Sequence, residues 1–264
     1  MDQLPNLGRE QEMLDIMGIS SMKDLFEDIP IEIRSEGTLP LPPPQTEEEI
    51  LRDAERLLGA NVNLDSRPSF ISAGLSRNFV PSMVPMIATR GEFLTSYTPY
   101  QPEVSQGMLQ AMWEFQTMIS ELVGLPISNV SMYDASTSAA EAITCAVRVK
   151  SKKVEMPNTV YVSELIPPHR MSVIENYTQG VGIDIRKIPH DEDGFLDLNV
   201  ATEASGSCAI YVEQPNAFGI LDEGLLKLRE VVGDKTAIIV GVDVTSLGIV
   251  EPPGNWGADI VVGE

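Results

Sequence analysis

The chain has 264 residues, 43% hydrophobic and 22% charged, the composition of a globular protein long enough to bury about three quarters of its unfolded surface; disorder, collagen and small disulfide scaffolds are excluded. Its 39 acidic residues against 18 basic ones give a net charge of −21, and a surface of that sign repels phosphate backbones and anionic headgroups, which argues against nucleic-acid and membrane-surface roles. Length allows one large α/β domain or two smaller ones.

The opening Met1-Asp2-Gln3-Leu4 is neither basic-then-apolar like a signal peptide nor Arg-rich like a transit peptide, so a cytoplasmic location is expected. Short helices come first. Glu10 to Met17 stops at Gly18, and Ser21 caps a turn through Phe26 with Asp24 at its third position. Leu39 to Gln45 is a Pro-rich connector, because proline lacks the helix donor and pushes its predecessor toward extended geometry. A capping box of Thr46 with Glu49 then opens a helix with Ile50, Leu51, Ala54, Leu57 and Leu58 on one face, ended by Gly59. Residues 1–60 read as a helical arm and connector, and 61–264 as the main domain.

After an irregular stretch around Asn61 to Arg77, Tyr97-Thr98-Pro99-Tyr100-Gln101-Pro102-Glu103 is a loop in which prolines pre-set two phenols at little conformational cost. Plugging tyrosines with bonded hydroxyls would look the same. Ser105 is the expected N-cap of a helix from Gln106 to Val123, with Leu109, Met112, Trp113, Gln116, Ile119 and Leu122 on one side and Gly124 as its stop. A loop delivered by a long packed helix is stiff.

From Asn129 onward, β-rich runs alternate with helical ones. The expected strands are Val130 to Tyr133, Thr159 to Ser163, Ile183 to Ile188, Ala209 to Glu213, Ala237 to Val244 and Ile260 to Val262. Helices over Thr137 to Lys150, Arg170 to Gln179 and Glu223 to Val232 are long enough to cross between parallel strands. The fold class is therefore α/β, a mostly parallel sheet with helices on both faces. Such sheets bind ligands at their carboxyl edge, so Asp134 to Thr137, Gln214 to Asn216 and Asp243 to Ser246 are expected to line one crevice.

Several residues there could carry chemistry. Asp134 to Glu141 joins a strand to a helix, with a capping box of Ser138 and Glu141, and its free amides could hold a phosphate or simply be well capped. Asp243 stands in an otherwise apolar strand, where a carboxylate needs a partner; in pyridoxal phosphate enzymes such a residue pairs with the pyridine nitrogen. The lysines, Lys23, Lys150, Lys152, Lys153, Lys187, Lys227 and Lys235, fall on exposed faces or helix ends, and none has the setting of a Schiff-base lysine. His169 and His190 have no acid or cysteine at ligand spacing, and no dinucleotide or P-loop fingerprint occurs. Cys145 and Cys208 lie inside apolar-periodic segments and read as buried thiols of a reducing compartment.

The run from Tyr97 through Glu103 to Gln106-Gly107, followed by Phe115-Gln116-Thr117-Met118, closely resembles glycine decarboxylase, the P-protein of the glycine cleavage system. The likeness extends to Asn129 to Asp134, Ala139 to Ala142, Asp243 with Ser246-Leu247-Gly248, and Gly257 to Glu264. Glu12-Met13-Leu14 and Ile29-Pro30 before Ile33-Arg34 are similar to subunit 1 of the two-subunit type. The resemblance implies the type I pyridoxal phosphate, aminotransferase-like large domain, and a complex that decarboxylates glycine and passes the aminomethyl group to the lipoyl arm of the H-protein. It implies that pyridoxal phosphate sits covalently on subunit 2, with this chain completing the active site across the interface. Tyr97, Thr98, Tyr100, Gln101 and Glu103 are then its contributions, and Ser136, Thr137 and Asp243 line a family-like cofactor pocket that a lysine-free subunit can carry as a vestige. Ser76 and Asn78 stand where the family usually has Tyr and His. Family members continue past Glu264 into the rest of the sheet and a small C-terminal domain, so a fragment is expected. The alternatives are a noncatalytic scaffold subunit, or a stand-alone pyridoxal phosphate enzyme with its lysine beyond residue 264.

Overall fold

The computed structural model describes residues 6–35, 37, 39–62, 67–68, 70, 78–151 and 157–264. Ser76, Lys152 and Lys153 lie outside the described residues. The chain divides into two compact units, Met1–Ser69 and Phe70–Glu264.

In the first unit, α1 (Glu10–Met17) stops at Gly18, whose φ of 71° is the left-handed conformation that glycine adopts without strain. Ser21 and Asp24 form the expected box, but the turn it opens, Met22–Phe26, is a 3-10 helix. The Pro-rich residues 39–45 are neither helix nor strand. Helix α2 (Glu47–Leu58) begins with a reciprocal box: the Thr46 side chain accepts from Glu49 N–H, and Glu49 accepts from Thr46 N–H at 2.8 Å. Gly59 stays right-handed at φ −64°, so it ends this helix without a left-handed cap. The apolar face is formed as expected, yet Ile50, Leu51, Leu57 and Leu58 are all more than half exposed.

The second unit opens with α3 (Met83–Ala88) and α4 (Gly91–Leu94). A 3-10 turn, Pro102–Val104, leads into α5 (Gln106–Val123), which closes on Gly124 at φ 72°. Helix α6 (Ala135–Ser151) precedes five parallel strands, β1 (Thr159–Ser163), β2 (Asp184–Ile188), β3 (Ala209–Gln214), β4 (Ala237–Val242) and β5 (Ile260–Gly263). Their order is β2-β1-β3-β4-β5. Helix α7 (Pro168–Gln179) crosses from β1 to β2; α8 (Leu198–Ala201) and α9 (Leu228–Val232) flank β3 in sequence. The fold is the parallel, helix-covered large domain implied by the resemblance.

Both faces of the sheet are covered, which is why its central strands are continuously apolar rather than alternating. Val160, Val162, Ala209, Tyr211, Ala237 and Ile239 face Ala139, Ile143, Ala146 and Met171 of α6 and α7. Tyr161, Ile210, Val212, Ile238 and Val240 face Ala201, Leu228 and Val232 on the other side.

Five expectations need correction. Val130 to Tyr133 is not a strand: no strand among the described residues lies alongside to form a ladder with it, and Tyr133 is almost fully exposed. β4 ends at Val242, not Val244. The segment from Glu223 begins as a 3-10 turn, Glu223–Lys227, and becomes α-helical only at Leu228. Helix α6 starts three residues before Ser138, so Asp134 rather than Ser138 caps it. Cys145 is exposed while Cys208 is buried; with Glu141 and Arg148 it lies on the outward side of α6, opposite Ile143, Ala146 and Val147.

Candidate functional site

The register places Gln214 beside Val242, and Val242 beside Gly263. The segments following β3, β4 and β5 therefore emerge together at the carboxyl edge, where α6 also begins. Asp134 caps that helix: its Oδ1 accepts from Thr137 N–H at 2.7 Å and from the Thr137 hydroxyl at 3.0 Å. The Thr137 amide, chiefly, then the Thr137 hydroxyl and the Ser136 amide, hold the Asp134 carboxyl below the usual aspartate range, with the charge of Arg170 adding to them. Ala135 N–H donates to Glu264 Oε1 at 3.2 Å, and the Ser138 hydroxyl donates to Asp134 O at 2.7 Å.

Asp243 is exposed one residue past β4. Its Oδ1 accepts from Thr245 N–H at 2.9 Å and from the Thr245 hydroxyl at 2.6 Å, an Asx turn that starts the next 3-10 segment. Asn216 is buried and turned onto its own loop, donating to Gly194 O at 2.9 Å and accepting from Phe218 N–H at 3.0 Å.

A buried acid that is paired with a cation is Glu213, on β3. Its Oε1 accepts from Arg170 Nη1 at 2.6 Å and from the Tyr211 hydroxyl at 2.8 Å. Tyr211 is completely buried; burial first, and then the Glu213 charge, push its phenol well above the ordinary tyrosine range. Burial works against the Arg170 guanidinium, and the Glu213 carboxylate together with the Tyr211 oxygen more than offsets it. Arg170 Nε is buried without an acceptor among the described residues. Gly241 on β4 makes room for the pair: a Cβ there would sit 2.6 Å from Tyr211 Oη and 2.9 Å from Glu213 Cγ. Sequence reasoning passed over this cluster although the signal was present, since Glu213 ends an apolar run just as Asp243 does.

The loop from Tyr97 to Glu103 has the opposite character. Tyr97 is 97% and Tyr100 88% exposed, Gln101 and Glu103 are exposed, and Thr98 is half-buried. Ser105 is the N-cap residue of α5, as expected, but its side chain makes no cap bond; the buried hydroxyl donates back to Thr98 O at 3.2 Å instead.

A family model described as glycine cleavage system P-protein matches residues 5–264. The chain belongs to the glycine cleavage system P-protein family. It is 44% identical over 263 residues to the probable glycine dehydrogenase (decarboxylating) subunit 1 of Thermococcus kodakarensis, covering 99% of this chain and 57% of that relative. The corresponding protein of Thermococcus onnurineus is 45% identical with the same coverage. A crystal structure of glycine decarboxylase (P-protein) of the glycine cleavage system, in inhibitor-bound form, superposes with a TM-score of 0.82 at 39% identity, over 100% of this chain and 58% of that one. The chain thus spans somewhat over half the length of the relatives it matches.

This P-protein chain has the large-domain fold of pyridoxal phosphate enzymes, and the groups at its carboxyl edge can be tested against that cofactor. They do not fit its phosphate. The first amides of α6 already face the Asp134 and Glu264 carboxylates, whose charge would repel another anion. Asp243 gives one oxygen, Oδ1, to Thr245. Of the described lysines, Lys23, Lys187, Lys227 and Lys235 are exposed, and Lys150 lies in the last turn of α6, at the far end from Asp134. Ser136 and Thr137 do stand at the start of α6, on the same edge as Asp243, while the Tyr97 loop precedes α5 in the chain. Asn78 is exposed.

Proposed function

We propose that this chain acts as subunit 1 of a two-subunit glycine decarboxylase, supplying the Tyr97 loop to an active site whose pyridoxal phosphate is held by subunit 2. The assembled enzyme would decarboxylate glycine and pass the aminomethyl group to the lipoyl H-protein, in the cytoplasm. Tyr97, Thr98, Tyr100, Gln101 and Glu103 are this chain's share of that site: the phenols position substrate or the lipoyl arm, and Thr98, Gln101 and Glu103 supply donors and acceptors around them. Ser136, Thr137 and Asp243 line a vestigial cofactor pocket, in which Thr137 is turned onto Asp134 and Asp243 onto Thr245.

One observation carries this reading. Two aromatic rings stand almost fully exposed on a loop tied down at its base, and rings of that size are normally covered by what they bind. Tyr97→Phe and Tyr100→Phe, each in the assembled complex, are expected to lower the exchange of the glycine carboxyl group with carbon dioxide by tenfold or so, the cost of a misplaced reactant. An unchanged exchange rate in both variants contradicts the assignment.

The satisfied groups at the α6 edge favour a second reading, a noncatalytic scaffold that stabilises subunit 2 and docks the H-protein. The same two variants separate the readings, because a scaffold loses no exchange activity with either phenol so long as the complex assembles.

A further inference from the structure

The loop that presents Tyr97 and Tyr100 is anchored by a residue that never reaches the surface. Ser105 is 1% exposed, whereas its neighbours Gln101 to Val104 and Gln106 are exposed. Its backbone lies at φ −130°, ψ 20°, outside the helix, and its side chain makes no cap to α5. The hydroxyl instead reaches back seven residues to Thr98 O, the carbonyl between the two tyrosines. The main chain of Ser105 is held as well: its N–H donates to Pro102 O at 3.3 Å, and its O accepts from Leu109 N–H at 2.9 Å, in the first turn of α5. Side chain and main chain together tie Thr98 to the long helix through one residue.

A second contact fixes the same corner. Gly107 packs so close to α4 that a Cβ would lie 2.9 Å from Glu92 O and 3.1 Å from Glu92 Cβ, so α4 and the start of α5 are pressed together at the loop's base. Ser96, on the other side of Tyr97, has a buried hydroxyl without a hydrogen-bond partner among the described residues. Of the two buried hydroxyls flanking the phenols, only that of Ser105 is used as a tether.

We propose that Ser105 is a positioning residue for this loop, its buried hydroxyl setting, through Thr98, the direction in which Tyr97 and Tyr100 are presented. Serine suits the task because its short side chain is buried at the loop's base and donates to the carbonyl of the half-buried Thr98, and a carbonyl deprived of that donor favours loop conformations that hydrate it. The inference rests on the reading that the phenols serve a composite active site.

The test compares Ser105→Ala with Ser105→Thr in the full-length subunit assembled with its partner, reading amide hydrogen exchange over residues 97–101 alongside glycine–carbon dioxide exchange kinetics. Ser105→Ala is expected to speed amide exchange in the loop and to lower kcat by about tenfold, with a much smaller change in KM, the pattern of an interaction felt in the transition state. Ser105→Thr, which keeps the hydroxyl, is expected to restore both. Unchanged amide exchange in Ser105→Ala overturns the proposal, as does a loosened loop with full kcat while Tyr97→Phe and Tyr100→Phe are impaired. Should both tyrosine variants be fully active, the composite-site reading fails, and amide exchange alone decides whether Ser105 orients the loop.

Discussion

A carboxylate at the end of an apolar strand can be either an exposed turn-former or a buried charge, and β3 and β4 contain one of each. Asp243 falls one position past β4 and turns its Oδ1 onto Thr245. Glu213 falls one position inside β3, paired with Arg170 and Tyr211. A shift of two residues in a strand end separates these fates, and hydrophobic patterning does not resolve strand ends that finely. That is why Asp243 drew the attention that belonged to Glu213. Removing one partner of a buried pair strands the other, so Glu213→Ala is expected to cost about 3–5 kcal/mol in urea unfolding. Arg170→Met with Glu213→Leu, which removes both charges, should cost much less. Gly241→Ala, which forces a methyl against the Tyr211 hydroxyl, is expected to cost about 1–3 kcal/mol.

At the scale of elements, the best-read features were those specified locally. The bounds of α5 follow from apolar spacing and a glycine stop, and both are found as expected; the Thr46 box is likewise intact. Elements that depend on a neighbour were read less well. Val130 to Tyr133 has strand composition but no ladder partner among the described residues, and composition cannot supply one. The start of α6 was misplaced because Asp134 and Ser138 are both good caps, and the choice is made by Asp134 Oδ1 reaching the Thr137 amide. Asp134→Ala is expected to destabilise the second unit by about 1 kcal/mol at neutral pH. The carboxyl is held below its ordinary value in the fold, so its contribution is present above the unfolded value of about 4 and lost as pH falls through the folded one. Asp134→Asn should accordingly flatten the acid limb of the stability profile measured by chemical denaturation.

At the scale of the molecule, the covered sheet contrasts with the surfaces left open. Val160, Ile210 and Ile239 are fully buried, and the parallel α/β architecture was legible from alternation alone. The exposed apolar residues were not: Leu57 and Leu58 on α2, Trp113 and Met118 on α5, and the rings of Tyr97 and Tyr100 follow patterns that elsewhere mark a core. Periodicity says that a face is apolar and not what covers it. In the proposed assembly, subunit 2 covers part of that surface and carries the cofactor, while this chain contributes the loop.

The measurement that tests this division most directly is borohydride trapping of pyridoxal phosphate on the full-length subunit, first alone and then mixed with subunit 2, with mass spectrometry to identify the labelled chain. The expected result is no label on this subunit in either condition and a single labelled lysine on its partner. A label on a lysine of this polypeptide, formed without the partner, would contradict the account and make this chain a pyridoxal phosphate enzyme in its own right.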